Sequence, residues 1–392
     1  MDAKELPAHP RLDQYKKQAK DLLKSCKSGD AEAIRRFERL KLKPGEISLA
    51  GAQFVVAREH AFESWPKFKK HIEAIVRQNS PVSNFEAAAD AVVEGDVATL
   101  TRLLREDPSL IRARSTRAHQ STLLHYVGAN GVEDFRQKTP KKAVEIASIL
   151  LSAGAEVDAD NGDYGGRGTA LGLVATSVHP ARAGVQIALL DTLLQAGASP
   201  DGLPGGWNPL IAALHNGRGF AAEFLASRGA RLDLEGAAGV GHLDIVKSFF
   251  DANGTLKAGA TVAQMEDGFL WACEYGHAEV AEFLLESGLG VATNRGCTGL
   301  HWAAFNAHAD IVKLLLNRSA PIDVRDENFG GTPLGWALYG WADPPPESER
   351  SRYPEVVASL VAAGAKVEPE WHRHENVRAD PAMAAALRGK AT

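Results

Sequence analysis

The sequence predicts an all-α protein made of stacked helix pairs, and three observations carry that expectation. The stretch at residues 297–324, CTGLHWAAFNAHADIVKLLLNRSAPIDV, reads as a turn, a short helix, a tight turn, a second helix and an extended exit; a new start, GGTPLGWAL, comes at residues 330–338. Ile311, Val312, Leu314, Leu315 and Leu316 cover a face of the second helix too broad for one pair to bury, so copies must stack and cover one another. Related exits recur at residues 152–160 (SAGAEVDAD), 195–202 (QAGASPDG), 227–236 (SRGARLDLEG), 286–294 (ESGLGVATN) and 362–368 (AAGAKVE). In each a glycine follows the second helix, where a left-handed C-cap needs one.

With 392 residues, 45% of them hydrophobic, the chain can bury a large core. The start, MDAKELPAHP, is polar and carries two prolines, and no run of about 20 apolar residues exists, so neither secretion nor membrane spanning is expected. Cys26, Cys273 and Cys297 are odd in number and lack CxxC spacing, which suits reduced cytoplasmic thiols rather than disulfides or a zinc knuckle. Charge is unevenly spread. Residues 1–80 hold 17 Lys+Arg against 11 Asp+Glu, whereas residues 81–392 hold 27 against 38. A basic head precedes an acidic body.

Residues 1–82 read as a small all-helical module. Pro10-Arg11-Leu12 opens LDQYKKQAKDLLKSC, with Leu12, Tyr15, Ala19, Leu22 and Leu23 on one side, and Gly29 stops it. Asp30 can cap DAEAIRRFERLKL, which Pro44-Gly45 ends, and Ser48 and Ser64 can cap LAGAQFVVAREHAF and WPKFKKHIEAIVRQ. The last two helices have helix-turn-helix proportions, with Lys67, Lys69, Lys70, His71 and Arg77 on the second. Lys and Glu alternate there and no arginine-rich face forms, so packing around Phe62, Trp65 and Phe68 is preferred over nucleic-acid contact. Residues 79–83, NSPVS, read as a linker.

From residue 83 to 368 the repeat wording, TxLHxAAxxxH…IVKLLL…GAxxD, resembles the ankyrin repeat. Aligned on His301, the matching positions are Ala89, His125, Gly172, Ile211, Glu235, Leu270 and Gly335, at steps of 36, 47, 39, 24, 35, 31 and 34 residues, which gives eight copies. The steps scatter around the roughly 33 residues of an ankyrin unit. Insertions lengthen copies two (131–143), three (177–186) and eight (340–354), and residues 369–392 read as a polar tail. The head is similar to a region that precedes ankyrin arrays in bacterial proteins. The resemblance implies an ankyrin-repeat solenoid behind a small helical domain, and implies no activity.

It also implies which residues face a groove. In ankyrin units the two residues ending the first helix do so, here Ala129/Asn130, Thr176/Ser177, His215/Asn216, Glu274/Tyr275, Phe305/Asn306 and Tyr339/Gly340. Trp207 on a hairpin and Trp341 in the last insertion join that row, whereas Tyr126, Trp271, Trp302 and Trp336 read as core. Adjacent insertions should bring Glu133, Arg136 and Lys138 towards His179 and Arg182, a basic wall suited to a small anionic ligand. His125 and His301 read as structural turn residues, and His242, His277 and His308 as caps opening second helices.

No HExxH, Cys/His cluster or GxSxG appears; GGRGTALG at 165–172 lacks the strand and Gly-Lys-Ser/Thr of a phosphate loop, and His372/His374 sit in the tail. No metal or cofactor is expected. The leading reading is a cytoplasmic scaffold gripping a protein or peptide partner through Asn130, Arg136, Lys138, Arg182, Trp207, His215, Asn216, Tyr275, Phe305, Asn306, Tyr339 and Trp341. The alternative is an enzyme or small-ligand sensor, with His179 or His215 as base and Glu133 or Glu274 as acid. A nucleic-acid adaptor acting through the head comes third. The sequence does not set the oligomeric state.

Overall fold

The structure, a computed structural model, describes residues 3–345 and 348–389. The chain divides into two compact units at residues 212/213, within the short helix Pro209–His215. Among the described residues helices account for the regular structure, and β-pairing is limited to isolated bridges that close hairpins, such as Asn294 with Thr298.

In the first unit four helices, Leu12–Lys27, Ala31–Glu38, Leu49–Glu59 and Trp65–Ile75, surround Tyr15, Phe37, Val55, Phe62, Phe68 and Ile72. The caps follow the sequence: Asp30 accepts from the Ala33 N–H, Ser48 from Gly51 and Ser64 from Lys67. Residues 79–83 are no linker. Ser80 caps the helix Pro81–Glu94, accepting the Ser83 N–H at 3.0 Å, and its hydroxyl donates back to the Ala74 carbonyl at 2.7 Å. Proline at the first helical position suits a helix start, where no N–H is needed. The stretch therefore ties the head to the first helix pair. Ala118 N–H, in the loop beyond that pair, donates to the Ala61 carbonyl at 2.8 Å.

Helix pairs then repeat. Pro81–Glu94 precedes Val97–Glu106, the 3-10 turn Leu123–Gly128 precedes Ala143–Ser152, and Ala170–Thr176 precedes Gln186–Gln195. In the second unit the pairs are Leu234–Gly239 with Leu243–Ser248, Val262–Tyr275 with Ala278–Glu286, Gly299–Phe305 with Ala309–Asn317, and Pro333–Ala342 with Tyr353–Ala362. One buried cluster runs through this unit, from Leu234 past Phe269, Leu300, Ile311, Leu315 and Leu360 to Met383 and Leu387. The segment read as a polar tail thus supplies core: Pro381–Leu387 buries Met383, Ala386 and Leu387, covering the exposed side of the last pair.

Neighbouring copies are tied by imidazoles. His125 Nδ1 accepts from the Thr122 N–H at 3.0 Å, which leaves its Nε2–H to donate to the Ala159 carbonyl at 3.0 Å; His301 repeats this with Thr298 and Gly331. His277 and His308, read as helix caps, make no side-chain cap bond. Their Nε2–H groups instead donate to carbonyls at the end of the preceding pair's first helix, Gly239 at 3.1 Å and Glu274 at 2.8 Å. Gly276 accommodates this device twice over: its φ is +85°, and a Cβ there would lie 2.8 Å from the His308 ring.

These imidazoles are neutral in the fold, because burial disfavours the cation: His125 and His277 are both pushed down to about 4. Their unfolded counterparts titrate near 6.5, so the unfolded chain binds more protons below that pH. The stability they contribute is complete above about 6.5 and lost as pH falls through 4, on the order of 3 kcal/mol per site. The melting temperature should accordingly hold between pH 7 and 8 and fall between pH 6.5 and 4. His277→Gln should melt lower at pH 7.5 and lose part of that slope; an unchanged slope would assign the acid loss to carboxylates.

Candidate functional site

Two clusters of polar and aromatic side chains stand out, one in each unit. In the first unit Glu86, on Pro81–Glu94, and Glu133, in the insertion of copy two, are buried with Arg117 and Arg136. Arg117 Nη1 lies 2.6 Å from Glu86 and 3.0 Å from Glu133; Arg136 reaches Glu86 at 2.8 Å and Asp90 at 2.7 Å. The Tyr126 hydroxyl donates to Glu133 Oε1 at 3.2 Å. His119 Nδ1 accepts the Ser121 N–H, so its Nε2–H faces the same oxygen at 3.3 Å. Burial alone would raise the Glu133 carboxyl, but Arg117, His119 and Arg136 together hold it below the ordinary range.

This arrangement revises the expected basic wall. Arg136 is spent on Glu86 and Asp90, Lys138 pairs with Glu94 at 2.6 Å, and Glu133 is sealed from solvent. Among the described residues no hydrogen bond or ion pair joins this set to His179 or Arg182. His179 stands beside exposed Arg182, its imidazole pushed down by burial and then by that guanidinium. Asn130 bonds the Thr176 hydroxyl at 2.9 Å and accepts from Tyr164. Trp207 packs against the first helix of copy three, so closely that a Cβ at Gly172 would lie 2.6 Å from its ring. In the head, Lys67 and Lys69 pair with Glu63 and Glu73, and buried His71 bonds the Thr116 hydroxyl at 2.7 Å.

The second unit holds an open aromatic cavity of about 470 Å³, lined by Trp302, Phe305, Phe329, Gly331, Gly335, Trp336 and Tyr339. Phe305 ends its first helix, as the row of copy ends implies, whereas the helix carrying Tyr339 runs on to Ala342. Trp302 and Trp336, read as core, stand half-exposed instead; Tyr126 and Trp271 are the buried members of that set. Trp336 is engaged by the hairpin at residues 326–331. Asp326 accepts from the N–H groups of Asn328, Phe329 and Gly331 and, at 3.0 Å, from the Trp336 indole N–H. Those bonds hold the Trp336 ring at the hairpin edge and present Phe329, 86% exposed, at its tip. Although desolvation opposes it, the donors keep the Asp326 carboxyl down at about 2.

Of the other expected contacts, Trp341 is core, with the Arg350 guanidinium 4.8 Å over its ring. Asn306 donates to the Trp302 carbonyl at 3.2 Å and accepts from Ser348. Tyr275 is half-buried and its hydroxyl donates to the Leu214 carbonyl, Glu274 is buried, and Asn216 is exposed. His215 is exposed, edge-on to Trp271 at 4.6 Å, with Nε2 3.8 Å from Glu235, whose carboxyl is raised to about 7 by burial and by Asp267 and Asp233. At that distance the pair is electrostatic rather than hydrogen-bonded. Among the described residues no group of three or more His, Cys, Asp or Glu is arranged to hold a metal ion.

The two clusters should separate under mutation. Arg117→Leu strands Glu86 and Glu133 as buried, undercompensated carboxylates and should cost about 3–5 kcal/mol. Tyr339→Ala removes a ring that is 65% exposed and should change stability by no more than about 0.5 kcal/mol. Chemical denaturation of both variants checks the contrast.

Residues 234–328 and 269–370 match the family model described as "Ankyrin repeats (3 copies)". The chain is also 38% identical over 79 residues to "Putative palmitoyltransferase ZDHHC13" of Danio rerio, covering 19% of this chain and 12% of that protein. It is 40% identical over 58 residues to "E3 ubiquitin-protein ligase hecd-1" of Caenorhabditis elegans, covering 15% of this chain and 2% of that protein. No helix among the described residues is long and apolar enough to cross a membrane. Together with the repeated helix pairs, the match makes this an all-α protein that carries ankyrin repeats.

Proposed function

We propose that the protein is a cytoplasmic binding scaffold, and that its second unit grips an extended segment of a protein partner along the ends of its first helices. The observation that carries this reading is the aromatic cavity. Phe329 and Tyr339 leave large apolar surface in water beside a concavity sized for one or two side chains, which is the form of an interface anchor. His215, Asn216, Tyr275 and Asn306 continue the row with polar and aromatic groups that suit a peptide backbone. The relatives bear names of two different activities, yet each shares with this chain only a short stretch. That pattern favours recognition by the repeats over either activity. The three buried free thiols fit a reducing compartment.

The small anionic ligand expected between the insertions of copies two and three draws less support, because Arg136 and Lys138 already face carboxylates. Of the five residues of the nucleic-acid reading, Lys67 and Lys69 face acids and buried His71 bonds Thr116, which leaves Lys70 and Arg77 outside the ion pairs among the described residues.

A peptide library displayed on phage and selected against the full chain tests the scaffold. Selected peptides should bind Phe329→Ala and Tyr339→Ala at least tenfold more weakly, at unchanged melting temperature, and Arg182→Ala normally. Peptides that bind all variants alike would move the interface away from the cavity, and a selection that retains none would remove the scaffold reading.

A further inference from the structure

The walls of the aromatic cavity form a box rather than a stack. Trp302 meets Trp336 at 88° with centroids 5.1 Å apart, and Phe305 meets Trp336 at 75° and 5.7 Å. Tyr339 lies within 16° of parallel to Phe305 at 6.2 Å, and Phe329 projects from the hairpin tip. Among the described residues no charged side chain lines the space. A carboxylate nevertheless stands directly behind one wall, since Asp326 Oδ2 takes the indole N–H of Trp336 at 3.0 Å. That bond leaves electron density on the indole face and adds negative potential to it. The background has the same sign: residues 213–392 hold 16 Lys+Arg against 23 Asp+Glu. Ring faces under such a potential attract cations.

The hydrogen-bond inventory then selects among cations. The Gly331 carbonyl already accepts from the Asp326 N–H at 2.9 Å and from His301 Nε2–H at 3.2 Å. The two Asp326 oxygens already serve four donors. Among the described lining side chains only Tyr339 has an acceptor oxygen. A primary ammonium or a guanidinium entering the box would shed water and leave most of its N–H groups without partners. A quaternary ammonium has no N–H to satisfy, spreads its charge over methyl groups, and gains both burial and ring attraction. A neutral branched alkyl group gains only the burial.

We propose that this cavity binds a quaternary ammonium group, R–N(CH3)3⁺, which gives the interface anchor a ligand class; the proposal rests on the cavity being accessible and not on a peptide backbone filling the groove. Calorimetric titration of the full chain tests it with four probes: choline, Nα-acetyl-trimethyllysine methylamide, its unmethylated lysine counterpart, and 3,3-dimethylbutanol, the uncharged carbon analogue of choline. At least one of the two quaternary probes should saturate roughly tenfold more tightly than 3,3-dimethylbutanol and than the unmethylated lysine amide. Tighter binding of the trimethyllysine amide would assign the group to a modified protein side chain, and tighter binding of choline to a free small molecule. Tyr339→Ala, with its exposed ring, should abolish the preference at unchanged melting temperature, and Trp336→Phe, which removes the N–H to Asp326, should reduce it several-fold. Binding of both quaternary probes no tighter than that of 3,3-dimethylbutanol, or no saturable heat from either, would overturn the proposal. Peptides that still require Tyr339 in that event would leave the scaffold standing without this ligand. Quaternary probes that bind where no peptide is retained would do the reverse.

Discussion

A carbonyl left at the end of a first helix needs a partner, and in the second unit three of them take it from the next copy. His277 reaches Gly239 and His308 reaches Glu274, each from the start of the following second helix. In the last pair a tyrosine does the same work: the Tyr353 hydroxyl donates to the Phe305 carbonyl at 2.6 Å. An unpaired carbonyl shielded from water costs more than the bond gains, so the pairing constrains sequence on both sides. Where the donor is an imidazole the acceptor helix is followed by glycine, because a Cβ at Gly241 or Gly276 would run into the incoming ring; where the donor is Tyr353 the small residue is Gly340 of the next helix, whose Cβ would meet the Tyr353 ring and the Phe305 carbonyl. The donor imidazole must stay neutral with its proton on Nε2. Spacing and repeat boundary both derive from one bond.

Because the helix pairs are tied at this point, the hairpins between them are left to vary. The hairpin at residues 326–331 shows what that freedom permits. A single carboxylate, Asp326, organises three backbone N–H groups and one indole, and so positions Phe329 and fixes the ring of Trp336, whose backbone belongs to the helix Pro333–Ala342. Phe305 and Tyr339 come from the rigid side, on helices whose apolar faces are buried. The cavity therefore sets one ring on a turn, Phe329, beside four on helices, of which Trp336 is also bonded to that turn. Such a site can change its ligand by changing hairpin residues while the stack is preserved.

The first unit uses polar groups differently. Arg117 and Arg136 together face Glu86, Glu133 and Asp90 out of water, and Arg117 also lies over the Phe62 ring of the head at 5.5 Å. A desolvated network of this kind adds little over apolar packing when intact, yet is costly when any member is displaced. Its effect is selective: the head fits against the loop carrying Arg117 in one register, and a slipped register would leave a buried charge unmatched. The basic excess of residues 1–80 is thus not a reservoir of free positive surface. Much of it is matched nearby, as with Arg36 on Glu59 at 2.6 Å.

Periodicity made the helix pairs legible, since apolar residues at helical spacing and glycine exits both report backbone constraints that act within a few residues. The same locality explains what stayed hidden. Trp302 and Trp336 occupy positions that are core in other copies, as Tyr126 and Trp271 are here, and nothing in their own segments distinguishes them. Trp336 is held at the edge by Asp326, in a hairpin whose side-chain bonds leave no mark on helical spacing, and Trp302 packs against the Trp336 ring. Asp-Glu-Asn-Phe-Gly could have signalled it, as an Asp whose side chain caps its own turn and an aromatic at the tip. Arg136 misled for the opposite reason: an arginine in an insertion looks like free charge until its partners are known, and Glu86 and Asp90 lie 50 and 46 positions away. Contacts of that separation depend on how the copies stack, which is a property of the whole fold, so a side chain's partners become readable only after the register of its neighbours is settled.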